Sequence, residues 1–165
     1  MSRVLDAARD AGAGAIVELT GDCPLIDPAV VTETIDAYRA ADVDYAANIL
    51  KRTYPIGMDT QVFATEILAD AFSRTQDPTD REHVSLYIYR HPERYRLLNV
   101  EAPPALSRPD LRLTLDTAED LALIRAVFAA LRPSRPDFGL ADMIAFLDAS
   151  PDVAALNRAV VHRHV

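Results

Sequence analysis

The run Ala15-Ile16-Val17-Glu18-Leu19-Thr20, followed at once by Gly21-Asp22-Cys23-Pro24-Leu25-Ile26-Asp27-Pro28, decides how the chain is read. The first part is apolar and β-branched, as a strand buried on both faces is. The second breaks the chain with Gly and Pro and ends on Asp27, a good helix cap, with Pro28 at the first helical position. Strand, carboxylate-bearing turn and helix in that order is the unit from which α/β sheets are built. The pattern recurs at Leu111–Leu115, an alternating strand that leads into Asp116 and a helix burying Leu121, Ile124, Val127, Phe128 and Leu131. Thr117 and Asp120 have the spacing of a capping box, with Asp in place of Glu.

Working outward, Val4, Leu5, Ala8 and Ala11 share one face of a helix over Ser2–Ala11. Further helices are expected from Pro28 to Ala41, Thr65 to Arg74 and Arg81 to Arg90. Strands are expected at Val43–Ala47, Asp59–Ala64 and Tyr95–Val100, with Asn48–Met58 as a loop. After the Arg132–Pro136 linker, helices over Leu140–Leu147 and Pro151–Val161 make residues 132–165 a helical C-terminal extension, with residues 162–165 as a frayed tail. Strands alternate with helices, so the expected class is α/β. The sheet is read as mainly parallel and flanked by helices, in a single domain over residues 1–165.

Composition narrows the function classes. The chain has 165 residues, half of them hydrophobic and a quarter charged, enough for one domain with its own core. Its 17 basic residues stand against 25 acidic ones, a net charge of −8. So acidic a chain approaches nucleic acid and anionic membranes against repulsion, which argues against both as partners. Cys23 is the one cysteine, so neither an intrachain disulfide nor a cysteine-based zinc site can form. No apolar run approaches the ~20 residues needed to cross a bilayer, and the start lacks the pattern of a signal peptide. A cytoplasmic location is the expectation.

In parallel α/β sheets, ligands sit beyond the carboxyl ends of the strands. That rule selects Asp22 and Asp116, each directly after an apolar strand-like run. Two carboxylates at one sheet edge suit Mg²⁺, which binds one or two carboxylates and leaves its other positions to water and phosphate. A purely structural reading stands beside this one: Asp22 caps a turn before Pro24, and Asp116 caps the helix after it.

Four blocks then occur in a fixed order: Gly21-Asp-Cys-Pro-Leu-Ile-Asp-Pro28, Arg52-Thr-Tyr-Pro55 with Gly57-Met-Asp59, Arg81-Glu-His-Val84, and Leu115-Asp-Thr-Ala-Glu-Asp-Leu121. With them, the chain from about residue 3 to about residue 130 resembles cytidylyltransferases of the spore-coat polysaccharide type, relatives of the acylneuraminate and KDO cytidylyltransferases. The resemblance implies a nucleotide-diphospho-sugar transferase fold of Rossmann-like type. It implies that a sugar oxygen attacks the α-phosphate of CTP, making a CMP-sugar for surface polysaccharide. It also implies Mg²⁺ held by Asp22 and Asp116 as the catalytic, metal-binding pair, with Arg52, Asp59, Arg81, Glu82 and His83 on the substrate side. A homodimer is implied as well. Family members begin with a strand and a Gly- and Arg/Lys-bearing loop that grips the triphosphate. No such segment precedes the first block here, so the fold is expected to be incomplete at its N-terminus.

Two other readings stay open: a non-catalytic truncated homologue serving as a sugar-binding or dimerisation module, and a Mg²⁺-dependent glycosyltransferase. Asp42-Val-Asp44 has the Asp-x-Asp form used by such glycosyltransferases, but it sits at the start of an expected strand, the wrong end for a site. Bland roles are available for the substrate-side residues. Asp59 can start a strand, Glu82 can sit at a helix N-terminus for the dipole, and His83 can be an ordinary half-buried histidine. Cys23 has no adjacent histidine to make it a nucleophile.

Overall fold

The structure is a computed structural model that describes residues 1–161; the tail expected at 162–165 lies outside the described residues. The chain divides into two compact units. One comprises Met1–Glu18, Thr32–Leu50 and Thr60–Val100, the other Leu19–Val31, Lys51–Asp59 and Glu101–Val165.

The first unit holds a four-stranded sheet of β1 (Ala15–Glu18), β2 (Tyr45–Ala47), β3 (Gln61–Ala64) and β4 (Leu97–Asn99), in the order β1-β3-β2-β4. β3 runs antiparallel to both β1 and β2, and only β2 and β4 are parallel. The sheet is therefore mixed, which corrects the expectation of a mainly parallel one. The reason is local: the connection from 48 to 60 holds no helix, so β3 is not carried back as a parallel crossover requires. β2 is wholly buried, and the Tyr45 ring stacks on its cross-strand partner Phe63 with centroids 5.9 Å apart. The core is completed by Leu5 and Ala8 of α1 (Ser2–Asp10) and by Leu68 and Ala71 of α3 (Thr65–Arg74), each pair one helical turn apart. The helix α2 spans Pro28–Ala40.

The helix expected over 81–90 is instead two short ones, α4 (Pro78–Glu82) and α5 (Leu86–Arg90). Asp77 caps α4 by accepting from the N–H groups of Thr79 and Asp80 at 2.8 and 3.2 Å, so the helix starts earlier than expected. It stops because Val84 has a φ of +29°, a strained value for a β-branched residue.

The second unit has no regular sheet among its described residues. The strand expected at Leu111–Leu115 is an extended segment with one parallel bridge, Ile56 to Arg112. It is held by Ile56 N–H to the Leu111 carbonyl (3.0 Å), Leu113 N–H to the Ile56 carbonyl (2.7 Å) and Leu115 N–H to the Asp22 carbonyl (2.8 Å). Helices α6 (Ala118–Leu131), α7 (Leu140–Ala149) and α8 (Pro151–Ala154) follow; α8 is shorter than expected. Leu113, Leu123, Val127, Leu140 and Met143 are buried together with Tyr54 and Met58. Each such side chain contributes roughly 1.5–3 kcal/mol relative to exposure. Asp27 caps two helices at once. Its Oδ1 accepts from Ala29 N–H at 2.7 Å in α2, and its Oδ2 from Leu140 N–H at 2.6 Å in α7. A side chain at Gly139 would come within 2.8 Å of that carboxylate.

The polar centre of this unit is Asp120, with no exposed surface. The capping box forms, and the carboxylate does more than cap. It accepts from the N–H groups of Asp116 and Thr117, both at 3.0 Å, from Arg112 Nε (2.9 Å) and Nη2 (3.1 Å), and from the Asn157 amide (2.8 Å). Burial alone would raise its pKa. The Arg112 guanidinium, the Asn157 amide and the backbone N–H outweigh that and hold it at about 2.

Replacing Asp120 with Asn is expected to destabilise the protein by up to about 3–5 kcal/mol, because the buried Arg112 loses its buried ionised partner and keeps only the half-exposed Asp116. The check is a lowered urea midpoint at unchanged slope. The folded pKa lies below the ordinary 3.8, so this carboxylate's contribution is complete above about pH 4 and fades as pH falls toward 2. About 2 kcal/mol is involved, and the acid limb of a stability–pH curve should shrink in the Asn variant. Gly57, at φ +102°, would set a Cβ 2.6 Å from the carbonyl carbon of Leu113. Gly57→Ala is expected to cost about 1–3 kcal/mol, read as a drop in Tm.

Candidate functional site

Asp22 lies in a tight turn. Cys23 N–H donates to the Thr20 carbonyl at 3.3 Å and Ile26 N–H to the Cys23 carbonyl at 3.1 Å. Thr114 reaches Asp22 through its hydroxyl, which donates to Oδ2 at 3.2 Å and lies 3.1 Å from the main-chain carbonyl. With Leu115 N–H on that same carbonyl, Asp22 is stitched to the segment that ends at Asp116. Asp22 is thus tied, by a turn laced to an extended segment, to the two residues that precede Asp116. Asp22 and Asp116 are not at the ends of two parallel strands of one sheet, which corrects the expected geometry. β1 ends at Glu18, before the turn, and residues 111–115 are not part of the sheet.

Burial tends to raise the Asp22 carboxyl. Hydrogen bonds from Thr20, its own backbone N–H, Thr114 and Cys23 outweigh it, and the carboxyl is held below its ordinary value. Burial pushes the Cys23 thiol the other way, and the carboxylates of Asp22 and Asp59 add to the rise, although Thr20 lowers it. The thiol is therefore protonated at neutral pH and is no nucleophile.

Arg52 and Asp59, expected as separate substrate contacts, are each other's partners. Arg52 Nη1 and Nη2 donate to the two oxygens of Asp59 at 2.7 and 2.9 Å, a bidentate pair with side chains 20% and 24% exposed. Asp59 does not begin a strand, since β3 starts at Gln61. Asp116 is 48% exposed and accepts a hydrogen bond from Arg112 Nη2. Arg81, Glu82 and His83 belong to the other unit. There Arg81 donates from Nε to the Thr75 carbonyl at 2.9 Å and lies over the Phe72 ring, 3.7 Å from its centroid. Glu82 is the last residue of α4, at the wrong end for a favourable dipole interaction, and His83 is exposed rather than half-buried.

The chemistry of the first group is that of hard oxygen donors. Among the described residues no three His, Cys, Asp or Glu side chains are grouped to hold a metal ion. Mg²⁺ does not need such a group, because it takes one or two carboxylates and fills its other positions with water and phosphate. Asp22, held ionised beside the Thr20 and Thr114 hydroxyls, and the half-exposed Asp116 fit that requirement. The Asp-x-Asp at Asp42 and Asp44 does not. Asp44 accepts from Arg96 N–H, Nε and Nη2, and Asp42 pairs with Arg96 Nη1, so both carboxylates are engaged by one arginine just before β2, at the start of a strand and not beyond its end. The sequence reading passed over Thr20, Thr114, Arg112 and Asn157. A signal for the two threonines was there: Thr20-Gly-Asp22 and Thr114-Leu-Asp116 repeat one Thr-x-Asp spacing.

Comparison with known proteins gives these residues a context. The family model described as Cytidylyltransferase matches residues 1–146. The spore coat polysaccharide biosynthesis protein SpsF of Bacillus subtilis is 36% identical over 148 residues, covering 87% of this chain and 59% of that protein. An uncharacterized protein of Methanocaldococcus jannaschii is 27% identical over 160 residues, covering 97% of this chain and 64% of its own length. The structure of a cytidylyltransferase from Leptospira borgpetersenii superposes with a TM-score of 0.87 at 27% identity, over 99% of this chain and 66% of that one. The chain thus spans about three fifths to two thirds of the length of these relatives. With the family model covering most of its residues, the chain belongs to the cytidylyltransferase family.

Proposed function

We propose that the chain serves CTP-dependent activation of a sugar for surface polysaccharide, CMP passing from CTP to a sugar oxygen with release of pyrophosphate. The observation that carries this reading is the lacing of Asp22 to Thr114 and Leu115, the two residues before Asp116. Membership of the cytidylyltransferase family and the likeness to SpsF support it. In the reaction the sugar oxygen forms a bond to the α-phosphorus, the bond to the β-phosphate oxygen breaks, and the sugar hydroxyl loses its proton.

Asp22 and Asp116 would hold Mg²⁺, which neutralises phosphate charge and lines up the displaced groups. The rest falls to the chain. The Thr20 and Thr114 hydroxyls keep Asp22 ionised and aimed. Arg52 fixes both oxygens of Asp59 from one side, so that this carboxylate meets a sugar hydroxyl in one orientation. Arg81, Glu82 and His83 are assigned to the sugar side on the resemblance of their block. Gly57 lets the 56–59 segment approach the Leu113 backbone closely. The proposal extends to a cytoplasmic homodimer. No described helix is long and apolar enough to cross a membrane. Against a glycosyltransferase reading stands the place of the Asp-x-Asp, at the start of β2 with both carboxylates engaged by Arg96.

Mn²⁺, a spectroscopic stand-in for Mg²⁺, is expected to bind with an affinity that falls at least about tenfold in Asp22→Asn and in Asp116→Asn, read by the free-ion signal in electron paramagnetic resonance. Pyrophosphate release should require CTP together with a sugar from a panel of acidic and amino sugars, and should be lost in Asp22→Asn. Unchanged Mn²⁺ affinity in both variants, or release that ignores the sugar, overturns the reading. Sedimentation equilibrium is expected to give twice the chain mass of 18.1 kDa.

A further inference from the structure

We propose that Arg112 is the positioning residue of this site, a buried guanidinium that fixes the Asp116 carboxylate for the metal ion without itself meeting substrate. The inference rests on the reading above that Asp116 holds Mg²⁺. Arg112 is 7% exposed, so its charge cannot be spent on a phosphate or a sugar. Its fork is divided instead. Nε and Nη2 hold the two oxygens of Asp120, and the same Nη2 reaches the Asp116 carboxylate. Asp120 in turn accepts from the Asp116 N–H at 3.0 Å. One arginine and one carboxylate therefore fix both the backbone and the side chain of Asp116, which is otherwise half exposed at the entrance to α6.

The Asn157 amide locks the arrangement from behind, donating to Asp120 Oδ1 at 2.8 Å and to the Arg112 carbonyl at 3.0 Å. Asn157 lies past residue 146, where the match to the family model ends, and the C-terminal segment takes part in the network. The charges also fit the role. Arg112, Asp116 and Asp120 together carry one net negative charge, enough to attract a divalent cation and less than two unpaired carboxylates would carry.

Charge and positioning predict opposite signs, and that makes the idea testable. By charge alone, removing the cation in Arg112→Gln would strengthen Mn²⁺ binding, and Arg112→Lys, which keeps the charge, would leave it as it is. Positioning predicts that both weaken it, by about 10- to 100-fold as for other residues that orient a metal ligand. Lys weakens it because an ammonium cannot copy the planar fork. The measurement is Mn²⁺ affinity by electron paramagnetic resonance, with circular dichroism and a melting curve on each variant. Arg112→Lys carries the test if Arg112→Gln does not fold, and Asn157→Ala should weaken binding in the same direction by less. A double-mutant cycle separates positioning from general stability: Arg112→Lys should have no further effect on Mn²⁺ affinity in an Asp116→Asn background. An equal loss in both backgrounds, or wild-type affinity in folded Arg112→Lys, overturns the inference. Loss of affinity in Asp116→Asn but not in Arg112→Lys sinks the positioning role alone. No loss in Asp116→Asn sinks the metal reading beneath it.

Discussion

The Asp120 carboxylate governs the second unit. It is shut away from water and accepts five hydrogen bonds, two of them from the guanidinium of Arg112. A charge in that position is strongly unfavourable unless every oxygen is occupied. Satisfying it draws in the segment before α6, the first turn of α6 and the chain near residue 157. The 111–115 segment is also held by its backbone bonds to Ile56 and Asp22 and by the buried Leu113, and Asp120 adds the tie that joins it to α6 and to the chain near residue 157. The candidate site is built on the outer face of that closed loop, with Asp116 as its exposed corner.

The site divides its labour between rigid and polar parts. Hydroxyls of Thr20 and Thr114 surround Asp22, a guanidinium steadies Asp116, and another one faces Asp59. Each carboxylate has a donor, Asp116 sharing its guanidinium with Asp120, yet each sits near the surface, where Asp116 and Asp59 keep access to solvent. Ionised groups held in place but not sealed off are what a reaction driven by charge neutralisation and alignment demands.

Much of this was legible in the sequence, and the rest was not for identifiable reasons. The Thr117–Asp120 capping box is a local rule, a hydroxyl and an acid three residues apart, and it is present as read. The fixed order of four blocks pointed to the family, because a family is carried by motifs. The direction of the strands was not legible. Whether β3 lies parallel or antiparallel depends on how the 48–60 connection turns, and no hydrophobic pattern records that. The pairing of Arg52 with Asp59 was missed because both were read as looking outward to a substrate, although only a short turn separates them. Arg112 was missed because it stood at an alternating position of an expected strand, where a lone arginine reads as a solvent-facing residue. Only the buried acid eight positions on explains why it points inward.

The doubly capping Asp27 has a consequence for how such a chain can vary. Asp22 is fastened at one end of its turn by Thr114 and Leu115, and Asp27 is fastened at the other by Ala29 and Leu140. A stretch tied at both ends to separate elements cannot gain or lose a residue without tearing one of the ties. The Arg132–Pro136 linker is exposed throughout, and its ties, Arg135 N–H to the Leu131 carbonyl and the Arg135 side chain to Asp142, lie at the surface, where water can replace them. Length changes in descendants of this sequence should therefore collect in the linker, while the turn between the two aspartates keeps a constant count and changes only in the identity of its residues.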